Sequence, residues 1–195
     1  MHSLLFKVIK ILLKNNLFVC PAFGTLLGWA RSSNHELTWA DYVSFIPHDD
    51  DIDLYILSPK EHFYGIDWKS HGLTLTVLGD SICSAAFSVH ISKRFNWQWP
   101  FIEFFEPRSK LERKLIDACQ QTNVSVFPRR NRIISIHLPS VSVTNLYLRT
   151  IYGSKFGSEV IIYKPHLDAP IKRNDMKFRY DKSIFKFETG ALIIY

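Results

Sequence analysis

Residues 45–57 read FIPHDDDIDLYIL and place four aspartates directly before an apolar run. The four are Asp49, Asp50, Asp51 and Asp53. Residues two apart on a β-strand share a face, so the first, third and fourth of these carboxylates would project together while the apolar side chains face the other way. Carboxylates that share a face repel one another unless a cation joins them or one of them keeps a proton. The stretch therefore predicts a strand that carries a divalent-metal site on one face.

A calcium loop of the EF-hand type does not fit this stretch. Such a loop requires a glycine at its sixth position and a bidentate glutamate at its twelfth. Counted from Asp49, the sixth position is Leu54, and Ser58 and Pro59 lie near the place of the glutamate. Mg²⁺ prefers one or two carboxylates together with water and phosphate oxygens, and metal ions on shared carboxylates assist displacement at phosphorus. The pattern therefore favours Mg²⁺ or Mn²⁺ and a phosphate-bearing substrate.

A metal site of this kind usually takes a further carboxylate from a neighbouring strand. Glu103 lies between Ile102 and Phe104 in the apolar run 101–105, where an unpaired charge is costly. It is therefore the candidate third acid, and the alternative is an edge-strand glutamate that faces solvent. Glu106 is a second candidate, and we expect its side chain to be more exposed.

The remaining sequence predicts a mixture of helices and strands. The stretch FGTLLGWAR at 23–31 leaves a strand at a glycine and opens a helix, whose first backbone N–H groups have no partner within the helix. Residues 32–44 are polar and are predicted to form a loop or insertion. Further strands are predicted at 17–20, 52–57, 73–78, 85–91, 101–105, 132–138 and 191–195, and further helices at 1–16, 60–68, 108–121 and 142–151. Several strands lie close together in sequence, so the fold class is α+β.

Composition and charge narrow the class of protein. The chain has 195 residues with 47% apolar and 22% charged side chains, which fits one globular domain with or without a small appendage. The net charge of +6 suits an anionic partner such as a nucleotide or phosphate. No basic strip with interleaved aromatic residues is long enough to follow a nucleic-acid strand, so no nucleic-acid partner is expected. The three cysteines form no CxxC pair, which excludes a zinc knuckle.

The N-terminal segment does not read as a targeting or membrane-spanning element. Residues 1–16 have apolar side chains at helical spacing, but lysines interrupt them, so an amphipathic helix packed on the domain is expected. No stretch reaches the roughly 20 apolar residues that a membrane span requires. These features favour a cytoplasmic location, and they leave room for membrane contact without a transmembrane span.

The motifs taken in order resemble the LicD/fukutin family. FGTLLGWAR at 23–31 and FIPHDDDIDL at 45–54 are similar to that family's GTLLGxxR and FIPWDDDID patterns, and 101–105 resembles its third-acid strand. Residues 138–153 resemble its segment of a proline followed by YLxxxYG. The resemblance covers about residues 1–155, and it implies a nucleotidyltransferase-like (DNA polymerase beta-like) catalytic domain with a mixed sheet flanked by helices. Residues 156–195 would be a C-terminal extension packed on the same domain.

The resemblance also implies a role for each matching residue. The implied catalytic residues are Asp51, Asp53 and Glu103. The implied metal ligands are Asp49, Asp51 and Asp53. The implied phosphate-binding residues are Gly24 and Thr25, by backbone and hydroxyl, and Arg31, by its charge.

The activity that the resemblance implies is metal-dependent transfer of a phosphate-linked group, of the phosphocholine or phospho-polyol type. The donor would be a CDP-linked nucleotide, and the acceptor would be a sugar of a glycan or glycoconjugate, which makes the Golgi lumen a second possible location. The chain differs from the family pattern in the 13 residues at 32–44, in His48 where tryptophan is common, and in Glu103 where aspartate is common.

Three alternatives stay open at this point. A catalytically inactive family member that binds a partner protein would tolerate the insertion and the altered motif residues. A GT-A glycosyltransferase also binds a metal through an acidic pair, but that pair normally follows a nucleotide-binding half of roughly a hundred residues, and only 48 residues precede Asp49 here. A polynucleotide-directed nucleotidyltransferase would require the basic strip that the chain lacks.

Overall fold

The computed structural model describes ten stretches of the chain: 2–32, 51–79, 82–87, 101–127, 132–154, 156, 159–162, 176–179, 185–188 and 191–194. The helices in these stretches are α1 His2–Lys14, α2 Phe23–Ser32, α3 Lys60–Tyr64, α4 Lys110–Asp117 and α5 Val141–Tyr152. The strands of the main sheet are β1 Val19–Pro21, β2 Asp51–Ile56, β3 Leu73–Gly79, β4 Ile82–Phe87 and β5 Phe101–Phe105. Three two-stranded ladders follow: β6 Cys119–Phe127 with β7 Arg132–Pro139, β8 Glu159–Ile162 with β9 Met176–Arg179, and β10 Phe185–Glu188 with β11 Ala191–Ile194.

The main sheet is mixed, with the strand order β1-β2-β5-β4-β3. Strands β2 and β5 run parallel, and the other neighbours run antiparallel. The parallel pair therefore lies inside the sheet, with β1 on one side and the β3–β4 hairpin on the other. This mixed sheet with flanking helices confirms the predicted α+β class.

One face of the sheet is covered by α1 and by the β6–β7 hairpin. Alternate side chains of β2 and β5 point into this core, and Phe104 packs its ring 5.4 Å from Phe63 and 6.3 Å from Trp68. The predicted amphipathic helix is confirmed, since α1 contributes a full apolar stripe to the same core. The period of two along a strand then places the acidic side chains of β2 and β5 on the opposite face.

The opposite face is covered at its β1 end by α2, α4 and α5. These helices surround a second apolar cluster in which Tyr55 of β2 and Tyr147 of α5 are both fully buried. Their hydroxyl oxygens lie 2.9 Å apart and share a hydrogen bond, as buried phenols usually do. The second cluster therefore fixes α2 and α5 beside the half of the sheet that carries the acidic residues.

The structure differs most from the sequence prediction between residues 108 and 127. A helix was predicted over 108–121, but α4 ends at Asp117 and the chain continues from Cys119 as β6. Residues 120–123 of β6 read QQTN and have no apolar alternation, so the first half of this strand carries no strand signal of its own. Its backbone pairs with β7 from Cys119 opposite Pro139 to Phe127 opposite Arg132, and this long-range ladder decides the conformation.

Smaller differences concern element ends. Helix α3 ends at Tyr64 rather than at 68. The indole N–H of Trp68 donates a hydrogen bond of 2.8 Å to the carbonyl oxygen of Phe63, which turns the chain back against the helix. Strand β4 begins at Ile82, earlier than predicted. The predicted insertion at 32–44 lies outside the described residues except for its first residue, as do residues 88–91. The predicted boundary near 155 stays a prediction.

No helix within the described stretches has the length and apolar character needed to cross a bilayer.

A capping box starts α4 and involves an ionised carboxylate. Ser109 accepts a hydrogen bond from the N–H of Glu112 at 3.1 Å, and the Glu112 carboxylate accepts from the N–H groups of Ser109 and Arg108, both at 2.7 Å. Burial alone would raise the pKa of Glu112, but these backbone bonds, together with one from the Tyr55 hydroxyl, hold the pKa below its ordinary value. The charged form of Glu112 therefore stabilises the fold.

The Glu112→Gln variant keeps an amide oxygen that can accept in the capping box but loses the negative charge at the start of α4, so we expect it to lose about 0.5–1 kcal/mol of stability at neutral pH. Because the folded-state pKa is lowered, the charge contributes fully above the unfolded value of about 4.3 and is lost as the pH falls through the folded value. The stability difference between wild type and variant should therefore shrink on acidification below about pH 5. Urea unfolding of both proteins across this range measures it, and a difference that stayed constant would contradict the assignment.

Candidate metal centre

The structure brings Asp51, Asp53 and Glu103 together on one face of the sheet. In the parallel ladder Asp53 lies directly opposite Glu103, and Asp51 lies two residues earlier on the same side of β2. One carboxylate oxygen from each of the three side chains lies within 4.8 Å of the other two. The sequence placed these three acids in one site, and the geometry of the described residues agrees with that placement.

The position of β5 decides between the two readings of Glu103. Strand β5 lies between β2 and β4, so the alternative of an edge-strand glutamate is wrong. Asp51 is only 9% exposed, and the other two carboxylates are partly buried. When three carboxylates lie this close, a state in which all three are ionised without a cation is strongly unfavourable. A hard divalent cation relieves the repulsion between them. The cluster could therefore hold a metal ion.

The other predicted acids and the predicted arginine are only partly described. Asp49 and Asp50 lie outside the described residues, so the role of Asp49 as an accompanying ligand stays a prediction. Arg31 belongs to the last turns of α2, but the position of its side chain lies outside what the structure describes. Glu106 does not join the cluster, because its carboxylate pairs with Lys60 at 3.4 Å.

The junction between β1 and α2 is bonded directly to the backbone of Asp53. The N–H of Asp53 donates to Thr25 Oγ1 at 2.9 Å, and the carbonyl of Asp53 accepts from the N–H of Ala22 at 2.9 Å. Both main-chain groups of this acidic residue are therefore held by the start of α2. The predicted change from strand to helix at Gly24 is confirmed, and the bonds place that change beside the carboxylates.

The hydroxyl group of Thr25 lies in different surroundings from those that its motif implied. The sequence assigned the Thr25 hydroxyl to a donor phosphate, but the side chain is 0% exposed and accepts from Asp53. The structure therefore gives this hydroxyl the task of bracing α2 against β2. The phosphate role of Gly24 and Thr25 stays a prediction, and it now rests on the backbone N–H groups at the start of α2.

Sequence reasoning missed a polar row that extends from the acids across the sheet. Ser84 of β4 lies opposite Glu103, and Thr76 of β3 lies opposite Ser84. Directly paired residues share a face, so these hydroxyl-bearing residues lie on the carboxylate side of the sheet. No signal within β3 or β4 alone could have shown this, because the alignment of Thr76 with Ser84 and of Ser84 with Glu103 depends on strand pairing.

Comparison with known proteins yields no matching family model and no matching curated protein. The interpretation of the site therefore depends on its own residues and geometry.

Proposed function

We propose that the protein is a metal-dependent transferase of the LicD/fukutin type. It moves a phosphocholine-like or phospho-polyol group from a CDP-linked donor to a sugar hydroxyl of a glycan or glycoconjugate. The observation that carries the proposal is the convergence of Asp51, Asp53 and Glu103 within 4.8 Å beside the start of α2. The order of the two motifs, FGTLLGWAR and then FIPHDDDIDL, supports the same assignment.

The three carboxylates fit a hard cation, since they offer only oxygen ligands. A bound Mg²⁺ or Mn²⁺ would neutralise charge on the phosphates of the donor during transfer. Asp51 and Asp53 would hold it, with Asp49 as a third ligand. The N–H groups of Gly24 and Thr25 at the start of α2 would face a donor phosphate, because a helix N-terminus favours anions.

The transfer itself is an in-line displacement at the phosphorus distal to the cytidine. The acceptor oxygen forms a bond to that phosphorus, the bond to the bridging oxygen breaks, and CMP leaves. Glu103 would orient the attacking hydroxyl and take its proton. The polar row of Ser84 and Thr76 offers hydroxyl groups on the same face for hydrogen bonds to the acceptor sugar.

The test is Mg²⁺-dependent thermal stabilisation by CTP, CDP-choline, CDP-ribitol and UDP-sugars. A ligand present at a hundredfold excess over its Kd adds about 2.7 kcal/mol to the stability of the fold, which raises the Tm of a chain of this size by roughly 5–10 °C. We expect this shift with a CDP compound and only in the presence of the metal. Release of CMP on addition of a glycan acceptor would then show turnover.

Other outcomes point to the rival functions. A shift with UDP-sugars alone would indicate a glycosyltransferase of the GT-A kind. Stabilisation by metal with no nucleotide response and no turnover would indicate an inactive, partner-binding protein. Either result would overturn the proposed donor.

A further inference from the structure

The chain turns from β1 into α2 through a residue with an unusual backbone conformation. Phe23 has a φ of 37°, in the left-handed region that a residue with a bulky side chain rarely adopts. Ala22 before it donates its N–H to the carbonyl oxygen of Asp53, and the Thr25 hydroxyl after it accepts from the N–H of Asp53. These two hydrogen bonds, the Asp53 clamp, are therefore joined through Phe23. Such a conformation persists only where the surroundings hold it in place, and it occurs most often at functional sites.

The ring of Phe23 lies on the two strands that carry the acids. Its centroid is 5.4 Å from that of Tyr55 on β2 and 5.2 Å from that of Phe105 on β5. These two residues pair with each other in the parallel ladder, and each follows one of the paired acids by two positions. Residues two apart on a strand share a face, so the Phe23 ring covers the part of the sheet directly beside the carboxylates.

Aromatic packing holds the left-handed backbone in place. The Phe23 ring meets the Phe105 ring at 79°, the edge-to-face arrangement that aromatic pairs favour, and a third ring, that of Tyr147 on α5, lies at 6.5 Å. Any residue with a Cβ atom is disfavoured in the left-handed region. The conformation of Phe23 therefore depends on these ring contacts.

We propose that Phe23 is a positioning residue of the candidate metal centre. Its ring, held on Tyr55 and Phe105, keeps the backbone left-handed, and this conformation closes the Asp53 clamp. The clamp fixes the main chain of Asp53 and thereby the point from which its carboxylate extends toward a cation. The inference rests on the proposed function for the identity of that cation and of the nucleotide. The part that concerns the clamp rests on the described contacts alone.

The test compares Phe23→Ala with Phe23→Gly by amide hydrogen exchange. Both variants lose the ring, but glycine adopts the left-handed conformation without the penalty that alanine incurs there. At an ordinary helical position glycine is the more destabilising of the two, so the expected order is reversed. We expect the Asp53 amide to exchange about tenfold faster in Phe23→Ala than in Phe23→Gly. The amides that pair β4 with β5 are the internal reference, because a general loss of stability would speed them as well.

Phe63→Leu is the matched control. Phe63 is buried on the opposite face of the sheet, where its ring packs 5.4 Å from that of Phe104 on β5. This variant also loses a ring that packs on an acid-bearing strand, but it leaves the Asp53 clamp in place. We expect it to speed exchange of the Asp53 amide and of the reference amides by the same factor.

Titration with Mn²⁺ gives the functional readout. We expect Phe23→Ala to weaken binding of Mn²⁺ about tenfold, the lower end of what loss of a group that orients a metal ligand costs, and Phe23→Gly to weaken it less. If the wild type binds neither Mn²⁺ nor CDP-choline in the presence of Mg²⁺, the proposed function fails, and the exchange comparison alone decides the role of Phe23.

Equal exchange of the Asp53 amide in the alanine and glycine variants would overturn the proposal. So would a Phe63→Leu protein in which this amide speeds up relative to the reference amides as it does in Phe23→Ala. If Phe23→Ala does not fold, Phe23→Leu takes its place in the comparison, since leucine keeps much of the apolar volume but incurs the same left-handed penalty as alanine.

Discussion

The Asp53→Asn variant is expected to lose all metal-dependent ligand binding while the stability of its metal-free form stays close to that of the wild type. The carboxylate of Asp53 lies within 4.8 Å of those of Asp51 and Glu103. Two unit charges about 4 Å apart repel by roughly 4 kcal/mol at an effective dielectric constant of 20. Close carboxylates relieve this repulsion by keeping a proton or through the partners that each of them has in the fold, so removal of one charge is expected to change the stability of the metal-free protein by no more than about 1 kcal/mol.

The same variant removes a direct metal ligand. Loss of an outer-shell partner of a metal ligand costs up to about a hundredfold in affinity or activity, so loss of the ligand itself should cost at least that much. The Tm measured with and without Mn²⁺, and with Mg²⁺ and CDP-choline, separates the two effects. The ligand-induced shift is expected to disappear, while the Tm of the metal-free variant stays close to that of the metal-free wild type. Asp51→Asn and Glu103→Gln should behave in the same way.

Glu106→Gln is the matched control for Glu103→Gln. Glu106 lies three residues later, but its carboxylate pairs with Lys60 at 3.4 Å and contributes nothing to the acidic cluster. A partly exposed ion pair of this kind contributes about 0–1 kcal/mol, and the response to metal should not change. If Glu106→Gln abolished the response as Glu103→Gln does, or if Asp53→Asn kept it, the three carboxylates would not form the metal centre.

The second large effect is expected for Thr25→Val. Valine has the shape of threonine but no acceptor, so the N–H of Asp53 loses the Thr25 oxygen in a partly buried place, which costs about 1–3 kcal/mol. For a chain of 195 residues this lowers the Tm by roughly 4–8 °C if the cost is about 2 kcal/mol. Thermal unfolding of the metal-free protein measures this effect without any ligand.

Thr25→Ser separates the bracing role from a direct contact with phosphate. Serine keeps the acceptor and removes one methyl group, which should cost no more than about 1 kcal/mol, and nucleotide binding should remain close to that of the wild type. Under the bracing role, valine impairs both stability and nucleotide binding. If Thr25→Val were as stable as the wild type and lost only the nucleotide response, the hydroxyl would contact the phosphate directly, as the motif implied.

The parts of the site that the sequence predicted correctly are those whose signal is local. The alternation of acidic and apolar residues along 51–56 requires Asp51 and Asp53 to share a face, because the strand has a period of two. Gly24 marks the change from strand to helix, and this signal is also local in the sequence. The spacing of apolar residues in α1 likewise predicts both the helix and its buried stripe.

The sequence left the role of Glu103 undecided, because a charged residue within an apolar strand has two explanations. An acidic residue in an apolar strand can lie at an edge or in a site, and both satisfy its charge. The parallel pairing of β2 with β5 places Glu103 opposite Asp53, and that pairing is a property of the whole sheet. Strand β6 was missed for a related reason, since its polar residues become a strand only through the ladder with β7.

The sequence by itself determined the fold class, the acidic face of β2 and the junction at Gly24, because each follows from propensity, period or motif within a few neighbouring residues. Only the tertiary structure decided that the Thr25 hydroxyl holds Asp53, 28 residues away, and that Tyr147 meets Tyr55, 92 residues away. A hydroxyl group has no periodic signature and bonds to whatever packing brings within about 3 Å. The first of these hydrogen bonds places the start of α2 beside the carboxylates, and the second joins α5 to β2. Both depend on how the helices and the sheet pack together.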